Sequence, residues 1–227
     1  MDLELTDAQR DLALALRAKL DGVADPDDVH GCLEELDLYA LEVPAGRGGL
    51  GFGLGMGVVV CEELGRRAAG DDYRGTARAR DEDEGGAERA RWRDHTRQAA
   101  YLLGLAAGAH RLAVRRALTR RQFGQPLAEH QAIAFPLAAQ LAHQEAVRLL
   151  VHRAAWLDEQ GEPADRAALR ALAYAAEQAL ETTAWAVHVH GAFGLTRYAP
   201  VSRYYTLAAT EALRHGSPAA LWKRAGA

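Results

Sequence analysis

Cysteine is scarce in this sequence: Cys32 and Cys61 are the only two in 227 residues. Two are too few for a disulfide framework or a clustered zinc site, and a reduced cytoplasmic setting is the expectation. A charge excess of either sign is also missing. The 27 Lys and Arg against 31 Asp and Glu give a formal charge of −4, so the total points to neither a nucleic-acid nor an anionic-membrane partner. No apolar run is long enough to span a bilayer. The opening Met1-Asp2-Leu3-Glu4-Leu5-Thr6-Asp7 is acidic where a secretory leader is basic, so no signal peptide is expected. Nowhere between Gly65 and Ala99 do β-branched and aromatic residues alternate, which excludes a disguised sheet from that interval.

What is present is a soluble globular composition, 49% hydrophobic and 26% charged, with a helical period almost throughout. Thr6 and Gln9 have the spacing of a capping box, and Leu12, Leu16 and Leu20 then share one face. Val29, Leu33 and Leu36 mark a second helix. A glycine cluster from Gly46 to Gly57 follows Val43-Pro44 and runs into Val58-Val59-Val60-Cys61-Glu62-Glu63-Leu64-Gly65, read as a loop and then a buried helix. No strand precedes those glycines and no Lys-Ser/Thr follows them, so they are packing glycines rather than a phosphate loop.

The stretch Asp71 to Asp94, with Arg78-Ala79-Arg80-Asp81-Glu82-Asp83-Glu84-Gly85-Gly86 at its centre, has almost nothing apolar and reads as a charged linker. Four long helical elements come next. The first carries Leu102, Leu105, Leu112 and Leu118, and the second Ile133, Leu137, Leu141 and Leu149. The third is an alanine-rich element starting near Pro163, and the fourth starts at Pro200. A short last helix is expected with Ser217 as N-cap and Pro218 in its first turn. Small residues at this density suit an antiparallel bundle. The chain thus divides into a helical portion at 1–70, a linker at 71–95 and a bundle at 96–227.

Several polar residues have bland readings. His188 and His190, two apart, do not share a helical face and lack a glutamate partner of the HExxH kind, so they are not read as a metal site. His110, His143 and His152 fall on different helices and are read as satisfied polar positions. Glu62 and Glu63 could face the bundle as a paired acid site, but the expectation is that one of them caps or bridges Arg66 or Arg67.

Two motifs carry a family resemblance: Arg120-Arg121-Gln122-Phe123-Gly124-Gln125-Pro126-Leu127 with Gln131, and His188-Val189-His190-Gly191-Ala192-Phe193-Gly194-Leu195-Thr196. The chain resembles the acyl-CoA dehydrogenase family, as a shortened member lacking the middle β-sandwich domain. The fold implied is all-α, a C-terminal four-helix bundle with a truncated N-terminal helical portion. By resemblance, Arg120 would meet the FAD pyrophosphate, Gln122 and Phe123 would line its neighbourhood, and His188 and Gly191 would complete the adenine side if FAD is retained. His188 stands where the family usually has Gln, and Ala192 replaces a glycine, adding a methyl where backbone would approach.

The family's catalytic base is usually a glutamate before a Gly-Thr near the C-terminus; here the stretch reads Leu213-Arg214-His215-Gly216-Ser217-Pro218. His215 takes the glutamate position, and a neutral imidazole is a competent base. An Arg-Asp pair of the preceding helix is replaced by Thr206-Leu207. Three functions follow. One is a flavin-independent enzyme moving protons on an acyl or polyketide-like substrate in specialised metabolism: an isomerase, lyase, dehydratase or cyclase with His215 as base and no cofactor. The second is an FAD-dependent acyl-thioester dehydrogenase completed by another subunit, and the third a non-catalytic subunit of a larger complex. A homodimer or tetramer, or pairing with a full-length homologous subunit, is the expected assembly.

Overall fold

The computed structural model describes residues 5–70 and 72–226. Helix α1 (Asp7–Gly22) opens on the capping box, with Thr6 and Gln9 satisfying each other's backbone, and buries Leu16 and Leu20. Helix α2 (His30–Glu35) is short and buries Leu33. The glycine-rich segment is a loop leading into α3 (Leu54–Arg67), buried along nearly its whole length. Helix α1 packs on α3, which in turn lies against α4 (Tyr73–Thr119) and α5 (Gln131–Glu159). The α3–α4 crossing is close because Gly104 faces the Glu62 carbonyl and Gly65 faces the Tyr101 carbonyl. A Cβ at either position would overlap backbone, which is what small residues at a helix crossing avoid.

The bundle consists of α4, α5, α6 (Asp165–His190) and α7 (Pro200–Glu211), closed by α8 (Pro218–Arg224) with Ser217 as its N-cap. The alanine face of α6, including Ala168, Ala171, Ala175, Ala176 and Ala179, is fully buried. Among the described residues the only strands are β1 (Arg121–Gln122) and β2 (Gln125–Pro126), a two-residue antiparallel hairpin between α4 and α5. The fold is therefore all-α with no β domain, as the resemblance implied. Not every expected core position faces inward: Leu102 and Leu105 are buried, whereas Leu118, Leu141 and Leu149 are 63%, 51% and 50% exposed.

The charged stretch expected as a linker is helical instead. Helix α4 begins at Tyr73 and is broken at Gly86, whose φ of 76° and ψ of 153° are not helical. Residues 73–85 and 87–119 fold back on each other as two limbs, joined by Arg74–Gln98, Arg78–Asp94 and Arg97–Asp81 hydrogen bonds. The limb hides a charged face rather than an apolar one. Tyr73, Arg74, Ala77 and Asp81 are buried, and their spacing is helical although their chemistry is not hydrophobic. The charges are matched in the interior. Arg97, wholly buried, donates from Nε to Glu42 Oε1 at 3.0 Å, from Nη2 to Glu42 Oε2 at 2.6 Å and from Nη1 to Asp81 Oδ2 at 2.7 Å. Arg93 adds bonds to Asp81 and Glu42, and the Tyr73 hydroxyl donates to Glu42 at 2.9 Å. Nearer Gly86, Arg89 and Trp92 both donate to buried Asp158 of α5. Burial in a polar core is tolerated because each carboxylate has a donor.

Candidate active site

The α4 hairpin forms one wall of a cavity of about 340 Å³. Arg78 and Glu82 reach it from the first limb; Ala87, Arg91, Asp94 and His95 line it from one face of the second. His215, in the loop between α7 and α8, and Arg224 of α8 close it. The placement follows from the helical period: 87, 91, 94 and 95 fall on one stripe.

His215 lies mostly covered, and its Nε2 is buried, 3.6 Å from Asp94 Oδ2. That distance is within ion-pair range and too long for a hydrogen bond. Its ring meets that of His95 edge to face, centroids 4.9 Å apart. Burial pushes the His215 imidazole below its ordinary value; Asp94 opposes this, while Arg214, Arg78 and Arg224 reinforce it. Burial pushes His95 further, to about 3, helped by His215 and the surrounding arginines. Both rings are neutral at physiological pH. Nε2 is the ring nitrogen near Asp94 but has no hydrogen-bond partner among the described residues; with the proton on Nε2, the Nδ1 lone pair is left to accept another. The backbone of His215 is fixed by Arg224 Nη1, which donates to its carbonyl at 3.2 Å.

The other sequence-selected residues lie elsewhere. Arg120, Gln122 and Phe123 sit at the β1–β2 hairpin, all exposed. Phe123 has a φ of 52° and is 94% exposed, its ring edge to face with His130 at 6.1 Å. Exposed His188 stacks on Trp185 at 4.8 Å beside a second groove of about 450 Å³, and Gly191 ends α6 with a φ of 66°. His190 Nδ1 lies 2.8 Å from the Ala186 carbonyl. Of the three histidines expected on different helices, His110 lies on α4 but His143 and His152 share α5; His110 and His143 are satisfied by the Leu137 carbonyl and the Tyr174 hydroxyl, whereas His152 Nε2 has no hydrogen-bond partner among the described residues. Glu62 does bridge Arg66, and it also binds Arg148; Glu63 binds Arg17.

Asp94, His95, Arg78, Glu82, Arg91 and Arg224 were not singled out in the sequence. The available signal was the helical spacing of Arg91, Asp94 and His95, which an apolar period does not reveal.

Residues 93–224 match the family model described as "Acyl-CoA dehydrogenase, C-terminal domain", more than half of the chain. The chain belongs to the acyl-CoA dehydrogenase family. His95 and His215 lie inside the matched region; Arg78 and Glu82 lie outside it. A 3-(aryl)acrylate reductase of Clostridium sporogenes is 39% identical over 107 residues, which are 47% of this chain and 28% of that protein. The chain thus matches little more than a quarter of this relative's length. Solved structures of several proteins share the fold. Butyryl-CoA dehydrogenase from Megasphaera elsdenii has a TM-score of 0.83 at 18% identity, covering 100% of this chain and 99% of that one. The ChsE4-ChsE5 complex from Mycobacterium tuberculosis has a TM-score of 0.86 at 20% identity, covering 100% and 98%.

The family implies FAD, and the side chains around His215 do not fit its ring. An isoalloxazine needs its flat face and its N1/N5 edge held. The cavity wall offers three arginines, two carboxylates and two imidazoles, with Ala87 as its single apolar side chain. No helix among the described residues is long and apolar enough to cross a membrane.

Proposed function

We propose that this chain is a flavin-independent acid–base enzyme acting on a small acyl substrate. The observation that supports it most is the half-buried His215, its imidazole held below its ordinary value by burial, beside Asp94 and opening on a polar cavity. In the proposed step His215 Nδ1 takes the proton from the carbon next to the substrate carbonyl. The C–H electron pair moves into the new carbon–carbon double bond of an enolate, and the same imidazolium returns the proton to that carbon or to a conjugated one. No electron is gained or lost, so the outcome is an isomerisation, or an elimination in which the enolate pair forms the double bond, the leaving group departs from the adjacent carbon with its bonding pair, and the imidazolium gives its proton to that group instead. A positioned base of this kind contributes about 10²- to 10⁴-fold.

Two measurements test the reading together: the visible spectrum of the purified protein, and turnover of short acyl thioesters by the His215→Ala variant. A colourless protein whose turnover collapses in the variant supports it. Stoichiometric flavin absorbance, or unchanged turnover in the variant, overturns it.

A second reading, an FAD-dependent dehydrogenase or a non-catalytic member completed by a partner subunit, is favoured by one observation. The Arg120–Phe123 hairpin presents an almost fully exposed phenylalanine, and Leu118, Leu141 and Leu149 are also exposed. Apolar surface of this kind suits assembly with another chain, whether a copy of itself or a longer relative.

A further inference from the structure

We infer that the mouth of the His215 cavity is a subsite for a singly charged carboxylate, so that the substrate is an acyl compound bearing a free carboxyl group. Its use in catalysis rests on the acid–base reading of His215; its existence rests on charge and geometry alone. Arg91 and Arg224 line the cavity and are both exposed. Neither has a carboxylate partner among the described residues, Arg224 being engaged only with the His215 carbonyl. Arg78, by contrast, is occupied by Glu82 at 3.0 Å and Asp94 at 3.3 Å.

The count of charges sets the valence of the ligand. Three guanidiniums face two carboxylates, Glu82 and Asp94, while both imidazoles are neutral, so the lining carries one net positive charge. A monoanion neutralises it; a phosphate dianion or a pyrophosphate would leave excess negative charge against two fixed carboxylates. Planar guanidinium forks also match a carboxylate in two-point geometry. Size agrees. At the ~30 Å³ that a water occupies in the liquid, 340 Å³ holds roughly eleven non-hydrogen atoms. This accommodates a short acyl group with a carboxylate and excludes a nucleotide.

The subsite is tested by NMR titration of the full chain with butyrate, butyramide, inorganic phosphate and coenzyme A, in the native protein and in the Arg91→Gln/Arg224→Gln variant. Both arginines are exposed, so the variant should keep its helicity and melting temperature, and an Arg91→Lys/Arg224→Lys variant controls for charge. Butyrate is expected to bind with signals perturbed at residues 78–95 and 215–224. Its affinity should fall roughly tenfold or more in the glutamine variant, with partial rescue by lysine, and butyramide should bind far more weakly. Equal binding of butyramide, or butyrate affinity unchanged in the glutamine variant, overturns the subsite. Tighter arginine-dependent binding of phosphate or coenzyme A also overturns it, reassigning the arginines to a phosphate anchor. The His215→Gln variant separates the two claims: it should still bind butyrate, and if it also keeps full turnover, the acid–base reading fails while the subsite stands.

Discussion

The imidazoles of His95 and His215 meet edge to face, 4.9 Å between centroids, and Asp94 lies 3.6 Å from His215 Nε2. Three residues from two chain segments, far apart in sequence, are thereby fixed around one cavity. His95 cannot readily share a proton with its neighbour, because burial and the facing His215, Arg224, Arg91 and Arg78 hold it neutral. His215 alone has a carboxylate to steady a positive charge. In the proposed mechanism the pair would therefore have unequal roles: His215 would take the proton, and His95 would position His215.

That inequality predicts acid sensitivity. His95 has its ordinary value of 6.5 when unfolded and about 3 when folded. A depressed histidine stabilises the fold fully above pH 6.5, and the stabilisation is lost as pH falls toward 3. By pH 5 the loss amounts to about 2 kcal/mol. Carboxylates held low by arginine, such as Asp158 and Glu211, stay ionised in this window, and His215 shifts in the same direction as His95. Urea midpoints for His95→Asn should change less between pH 7 and pH 5 than those of the native protein. An identical slope in both would show that His95 is not the group responsible.

The Arg97–Glu42 pair tests the hairpin. Replacing Arg97 with Met leaves Glu42, Asp81 and the Tyr73 hydroxyl facing one another without their main cation, and should cost roughly 3–5 kcal/mol. Replacing Arg97 and Glu42 together by Met and Leu should cost clearly less than the Arg97 change alone, because no unpaired charge remains from that pair. Denaturant unfolding measures both. A double variant that is worse than the single one would mean that the network matters as packing rather than as charge.

Gly86 sets the turn between the two limbs. A φ of 76° with ψ of 153° belongs to a region that residues with a Cβ avoid, and Gly86→Ala should cost on the order of 1–3 kcal/mol. The effect should be local: faster hydrogen exchange in residues 73–85 and weaker ligand binding at the cavity, with the α5–α6 packing retained. Unaltered exchange in the first limb would contradict the turn's role.

These relationships also show what the sequence made legible. The capping box at Thr6, the alanine face of α6 and the Ser217-Pro218 start of α8 were readable because backbone capping and small-residue packing depend on local sequence. His215 was readable only through its position in a family motif. The hairpin was not readable, since its buried face carries Arg74, Asp81, Arg93 and Arg97, and charge usually marks a solvated face. Only the tertiary pairing with Glu42 and Asp158 turns those residues into core. The rest of the site, Arg78, Glu82, Arg91, Asp94 and His95, was lost with it. Leu118, Leu141 and Leu149 fit a helical period but face outward, because period alone cannot say which apolar stripe is covered by the same chain.

The most direct test of proton transfer at His215 is the exchange of the hydrogens next to the thioester carbonyl of a short carboxyl-bearing acyl thioester in deuterium oxide, followed by proton NMR. The native protein, free of flavin, should catalyse the exchange, and His215→Gln should slow it by at least about 10²-fold while still binding the ligand. Exchange at the native rate in His215→Gln would contradict the mechanism.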